Sequence, residues 1–227
     1  MAAPVMLVHG WGGSFDATWR RSGFTDLLAD AGRRVIGVDL LGHGAAPKPH
    51  DVEAYSDLGE RVVDALPDEP VDAIGFSLGA MTLLHVAAAM PHRFNRLVLA
   101  GVGRNLFEPD EESSRRIIEA LEGRGDAGDN LSRMFVNYAS ELGNDVVALT
   151  AIMRRPRAAF TVGELVTMTV PTLIAIGDQD FAGPGDPLVE ALPDATLKIL
   201  CNTDHFATPK SFAFIDAALS FLDAIPH

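Results

Sequence analysis

An α/β fold with a doubly wound, mostly parallel sheet of about six strands is predicted by two observations. Short apolar runs alternate along the chain with longer segments of helical period. Those runs are rich in Val, Ile and Leu and alternate little, as strands buried on both faces do. Length and composition agree. A chain of 227 residues can bury a core without disulfides or metals. With 48% hydrophobic and 22% charged residues, it has ordinary globular composition, which excludes a disordered, collagen-like or coiled-coil chain.

The predicted strands are Val5–Val8, Arg34–Val38, Val71–Gly75, Leu97–Ala100, Thr172–Ile176 and Thr196–Leu200. Helical periodicity falls on Thr25–Ala31, Tyr55–Leu66, Leu78–Met90, Pro187–Leu192 and Pro209–Leu222. From Arg104 to about Thr167 no strand is expected. Helices are read there near Asp110–Leu121, Leu131–Glu141 and Asp145–Met153. This insertion after the fourth strand is too long for a simple crossover. It is read as a helical cap, 104–167, on a core of 1–103 and 168–227.

Lys and Arg number 18 against 31 Asp and Glu, a formal charge of −13. So acidic a surface repels phosphate backbones and anionic headgroups. No nucleic-acid or membrane partner is expected, and a small molecule is. The single cysteine, Cys201, excludes an intrachain disulfide and is read as a buried apolar filler. Neither a signal peptide nor a membrane-length apolar run is recognised, so the expected location is cytoplasmic.

Gly75-Phe76-Ser77-Leu78-Gly79 reads G-x-S-x-G and lies where a strand ends and a helix begins. That context is what a nucleophile elbow needs: a sharp turn lifts the Ser77 hydroxyl above the sheet edge, and the helix start adds partial positive charge. The blander reading is a tight turn with a capping Ser. His9-Gly10-Trp11-Gly12-Gly13 follows the first strand. Its turn can aim the Trp11 N–H at a developing oxyanion, with the Leu78 N–H as second donor. His9 is read as a structural group that orients this loop.

A serine nucleophile needs a base, and the base needs a carboxylate. His205 follows the last strand, where open α/β sheets place their sites. His43 also follows a strand and is the lesser candidate. His85 and His92 lie on or after the helix behind Ser77, and His50 and His227 read as surface. Asp178 and Asp180, after the fifth strand, are both candidates for the acid, with Glu108 or Asp110 as outside alternatives. Arg154, Arg155 and Arg157 could bind a substrate carboxylate, though a solvated cationic face is the simpler reading. Met134, Phe135, Tyr138, Met153 and Phe160 are candidates for an apolar pocket or for the cap's own core, and Phe206 is a candidate for the pocket. Arg124-Gly125-Asp126 is read as a plain loop. No metal-binding, dinucleotide or phosphate-loop motif is present, so no metal or cofactor is implied.

His9-Gly10-Trp11-Gly12, Asp39-Leu40-Leu41-Gly42-His43-Gly44, Gly75–Gly79, Gly177-Asp178-Gln179-Asp180 and His205 together resemble the α/β-hydrolase superfamily, in particular its small esterase, lactonase and carbon–carbon-bond hydrolase members. The resemblance covers nearly the whole chain. It implies Asp180 as the acid, a structural role for His43, and a cap that sets specificity. Two departures stand out. Relatives open with two further strands, so one sheet edge is expected to be short; a homodimer could cover it, and the chain is expected to be a monomer or a homodimer. Relatives mostly carry Gly where Asp204 stands, and a carboxylate there would favour the imidazolium of His205 if it lies close. The function implied is hydrolysis of small carboxylic esters by Ser77, His205 and Asp180 through an acyl-enzyme. Lactones or carbon–carbon bonds of dioxo acids are alternative substrates. A ligand-binding protein on the same scaffold is the non-enzymatic alternative.

Overall fold

The computed structural model describes residues 2–226 apart from 127 and 142; His227 lies outside the described residues. Six parallel strands form one sheet, in the order β2-β1-β3-β4-β5-β6. In chain order the elements are β1 Val5–Val8, α1 Phe24–Asp30, β2 Val35–Val38, α2 Glu60–Ala65, β3 Val71–Phe76, α3 Leu78–Ala89 and β4 Phe94–Ala100. Then come α4 Glu111–Leu121, α5 Asn130–Ala139, α6 Val146–Arg154 and α7 Val162–Leu165, all before β5 Thr172–Gly177. The chain closes with α8 Asp186–Ala191, β6 Ala195–Leu200 and α9 Phe212–Phe221.

The near-continuous apolar strands are explained by two core layers. Met6 and Val8 of β1 pack with Val62, Leu83, Leu84 and Leu188 on one face. Val5 and Leu7 pack with Phe24, Leu28, Phe214 and Leu219 on the other. Successive side chains of a strand point to opposite faces, so a strand covered on both sides must be apolar throughout. The edge strands depart from this. Along β6, at the sheet edge, Thr196, Lys198 and Ile199 are exposed.

Three elements differ from the sequence reading. The expected helix Tyr55–Leu66 is a short 3-10 turn, Val52–Tyr55, followed by α2. Between them the Asp57 carboxylate accepts from the Gly59 N–H at 2.7 Å, a local bond that competes with helix. β4 starts at Phe94, three residues early, because Asn95 and Arg96 at its outer end hide the apolar run. α7 is a single turn held by a Thr161–Glu164 capping box, too short to show periodicity.

One buried ion pair ties the sheet to the C-terminus. Arg33 bonds the Asp72 carboxylate on β3, and it donates to the carbonyls of Ala3 and Leu222 at 2.8 Å each. Both side chains are almost fully buried. Arg33→Met is expected to lower stability by about 3–5 kcal/mol, because it strands a buried carboxylate. Urea unfolding checks this; a loss under about 1 kcal/mol would contradict it. Among the described residues, no helix is long and apolar enough to cross a membrane.

Candidate active site

The turn between β3 and α3 holds Ser77 at φ 51°, ψ −113°, a conformation that costs a non-glycine residue energy and therefore needs support from its surroundings. The flanking glycines are required by close approach. A Cβ on Gly75 would lie 2.7 Å from the Ala80 backbone, and one on Gly79 would lie 2.5 Å from the carbonyl oxygens of Val8 and His9. The Ser77 N–H donates to Ala100 O at 2.8 Å, which fixes the turn against β4.

His205 arrives from the loop after β6. That loop is held by Asp178, whose carboxylate accepts from the N–H groups of Asn202 (3.0 Å) and Thr203 (3.2 Å). His205 Nε2 lies 2.9 Å from Ser77 Oγ. Its Nδ1 lies 2.9 and 3.0 Å from the two carboxylate oxygens of Asp180. The Asp180 side chain is wholly buried and that of His205 nearly so. Asp180 Oδ1 also accepts from the Ala182 N–H at 2.8 Å. The turn after β5 thus gives its two aspartates separate tasks: Asp178 braces the histidine loop and Asp180 meets the ring.

The other histidines lie elsewhere. His9 Nε2 accepts from the Leu40 N–H at 3.1 Å, which ties two loops together. His43 packs 4.9 Å from His9; burial holds its imidazole well below the usual range, and the neighbouring His9 lowers it further. His85 stacks on Phe160, and exposed His50 pairs with Asp145 at 2.9 Å. Glu108 and Asp110 do not bond His205; Asp110 caps α4 by accepting from the Ser113 N–H at 2.9 Å. Asp204 turns its carboxylate to the Ala207 N–H at 2.8 Å and forms no ion pair with His205 among the described residues.

Trp11 follows β1, and its indole donates to Leu149 O of α6 at 3.1 Å while the ring packs on Phe135. Leu78 is the first residue of α3, where a helix leaves N–H groups without intrahelical acceptors. Both residues line a cavity of about 190 Å³ that opens onto Ser77.

Of the six apolar candidates, Phe135 and Met153 line this cavity. The others do not line it. Met134 is 40% exposed on the outer side of α5. Tyr138 packs against Gly12 and Phe206, and burial pushes its hydroxyl up to about 12. Phe206 packs on Phe135 and the edge of His205. Phe160 faces a different cleft. Cys201 is exposed rather than buried, because it sits just beyond an edge strand.

Several lining residues were missed. Phe181 lies with its ring 4.3 Å from His205 and lines the cavity. Met81 lies one helical turn beyond Ser77, a spacing that could have found it. The arginines divide. Arg154 pairs with Glu122 at the surface, but Arg155 and Arg157 line the cavity. Arg155 donates to Ile152 O at 2.7 Å and Arg157 to Ser114 Oγ at 2.8 Å. Among the described residues neither has a carboxylate in ion-pair range. Burial, reinforced by Arg157, pushes the Arg155 guanidinium down to about 10.

The sheet order, the elbow and the hydrogen-bonded line behind it are features of one large group of enzymes. Residues 3–135 match the model of the alpha/beta hydrolase fold family, and the chain belongs to that family. It is 40% identical over 99 residues to a pimeloyl-[acyl-carrier protein] methyl ester esterase of Neisseria meningitidis; the match spans 42% of this chain but only 35% of that protein. It is 28% identical over 236 residues to a 2-hydroxy-6-oxononadienedioate/2-hydroxy-6-oxononatrienedioate hydrolase of Cupriavidus pinatubonensis, across 91% of this chain and 81% of the relative. The solved esterase of Exiguobacterium antarcticum superposes with a TM-score of 0.75 at 20% identity, over 98% of this chain and 92% of that one, which bears on the fold alone.

Proposed function

We propose that the protein is a serine hydrolase that cleaves small carboxylic esters through an acyl-enzyme. What supports this reading is the unbroken line from Asp180 through His205 to Ser77, with contacts of 2.9–3.0 Å, ending at a cavity. In the mechanism, His205 Nε2 takes the Ser77 proton as Oγ attacks the ester carbonyl. Asp180 holds Nδ1–H and stabilises the imidazolium. The N–H groups of Trp11 and Leu78 receive the oxyanion. His205 then returns its proton to the departing alcohol, and activates the water that releases the acid. Segment 104–167 serves as a lid that contributes Ile117, Leu131, Phe135 and Met153 to the cavity wall. The reaction as written uses no cofactor. Its exposed free thiol at Cys201 suits a reducing cytoplasm.

A second reading has its own observation. Arg155 and Arg157 in the wall beside Ser77 favour a substrate that carries a carboxylate near the scissile bond, as the dioxo acids of carbon–carbon hydrolases do. The test is a panel of p-nitrophenyl esters from acetate to octanoate, set against a 2-hydroxy-6-oxodienoate. Ester turnover with kcat/KM above about 10⁴ M⁻¹s⁻¹ would fit the first reading. Turnover of the dienoate alone would move the assignment to the second. Neither reaction would leave a ligand-binding protein.

A further inference from the structure

Beside the Ser77 cavity lies a second, open cleft of about 790 Å³. Its floor is one face of α3, formed by Met81, Thr82, His85, Val86, Ala89 and Met90, which recur at the spacing of a single helix side. The facing wall is the strap 156–160, where Phe160 stacks on His85 with ring centroids 4.0 Å apart. Met81, Asn105, Pro109, Arg155 and Arg157 line both spaces. The cleft therefore begins where the Ser77 cavity ends, one turn along the helix that carries the serine.

We propose that this cleft is a distal subsite for the apolar chain of an ester too long for the Ser77 cavity, with Met81 setting how far the chain passes. The inference rests on the serine hydrolase reading. Three observations carry it. At about 190 Å³ the inner space is smaller than ligand pockets generally are, whereas 790 Å³ falls within their usual range of about 300–1,000 Å³. From Met81 to Met90 the helix rises about 13 Å, the length of roughly ten methylenes. The neck is closed on the helix side by a methionine, whose unbranched side chain adapts to what passes it.

Charge decides what the chain ends in. Asp57, Glu60 and Asp64 line the outer part of the cleft, and three carboxylates there disfavour a terminal carboxylate. The far end is an uncharged hydrocarbon. A carboxylate close to the scissile bond would instead meet Arg155 and Arg157 at the neck.

The experiment measures kcat/KM for p-nitrophenyl esters from butyrate to dodecanoate in the wild type and in Ala89→Trp, Ala159→Trp and Met81→Ala. Ala89 and Ala159 are exposed on facing walls of the cleft, so a tryptophan there blocks it without disturbing the core. The wild type is expected to keep its activity through decanoate. Each tryptophan variant should hydrolyse butyrate as the wild type does and lose about tenfold or more on decanoate, since each methylene denied its site costs about fourfold. Met81→Ala should raise the ratio of decanoate to butyrate. A wild-type profile that ends at hexanoate would overturn the subsite and leave the hydrolase reading standing. So would tryptophan variants, folded by their thermal melts, whose decanoate-to-butyrate ratio stays within twofold of wild type. A wild type inactive on every ester would overturn the subsite and the ester reading together.

Discussion

Ser77→Ala is expected to abolish ester hydrolysis, with kcat reduced by about 10⁶ and KM nearly unchanged. Ser77 Oγ is the only hydroxyl that bonds His205 Nε2, at 2.9 Å, among the described residues. Removing it takes away the bond-forming atom rather than a contact. Elsewhere in serine hydrolases the residual rate after such a loss comes from the oxyanion donors and binding alone, about 10³–10⁴ over water. Binding should survive, because the cavity wall keeps Trp11, Met81, Phe135 and Arg155. The turn should survive too, since alanine retains the Cβ and the Ser77 side chain makes no capping bond to α3. Single-turnover kinetics with p-nitrophenyl butyrate checks this. A variant that keeps more than about a hundredth of the rate would sink the serine mechanism, because among the described residues no other hydroxyl is hydrogen-bonded to His205.

Asp180→Asn should reduce kcat by about 10⁴ while Asp178→Asn costs far less. An ionised carboxylate only accepts hydrogen bonds, so Asp180 forces the ring proton onto Nδ1 and leaves Nε2 free to accept from Ser77. An asparagine amide can donate instead. The proton then moves to Nε2, and the base is lost without any change in shape. Asp178 touches no ring atom; it holds the N–H groups of Asn202 and Thr203, and an asparagine oxygen can still accept from one of them. Its variant should therefore cost about tenfold or less, through a looser histidine loop. Steady-state kinetics on both variants with matched melting temperatures separates the roles. Equal losses would remove the distinction between the two aspartates.

How much of this was legible beforehand depended on how local the cause was. The strands of the sheet and the elbow at Gly75–Gly79 could be read because their causes lie within a few residues: continuous apolar runs, and a turn whose glycines admit the backbones of Ala80, Val8 and His9. His205 could be placed because a loop at the carboxyl end of a strand reaches the same edge as the elbow. The two aspartates were different. Both lie in one four-residue turn, and local chemistry suits either to brace or to bond. Only the packing of that turn against the loop after β6 assigns one to each task.

The cavity walls were least legible. Phe135, Met153 and Phe181 meet there from α5, α6 and the loop after β5, while Met134, next to Phe135 in sequence, faces solvent. Arg155 and Arg154 are neighbours, yet one lines the cavity and the other pairs at the surface. A helical pattern says that a face is apolar but not which element it meets. So the amino-acid sequence by itself determined the layered sheet, the strained serine turn and the partners able to serve it. The tertiary structure decided which aspartate bonds the ring, which side chains face Ser77, and that a second cleft continues along α3. Those outcomes depend on contacts between segments far apart in the chain, and no local pattern encodes them.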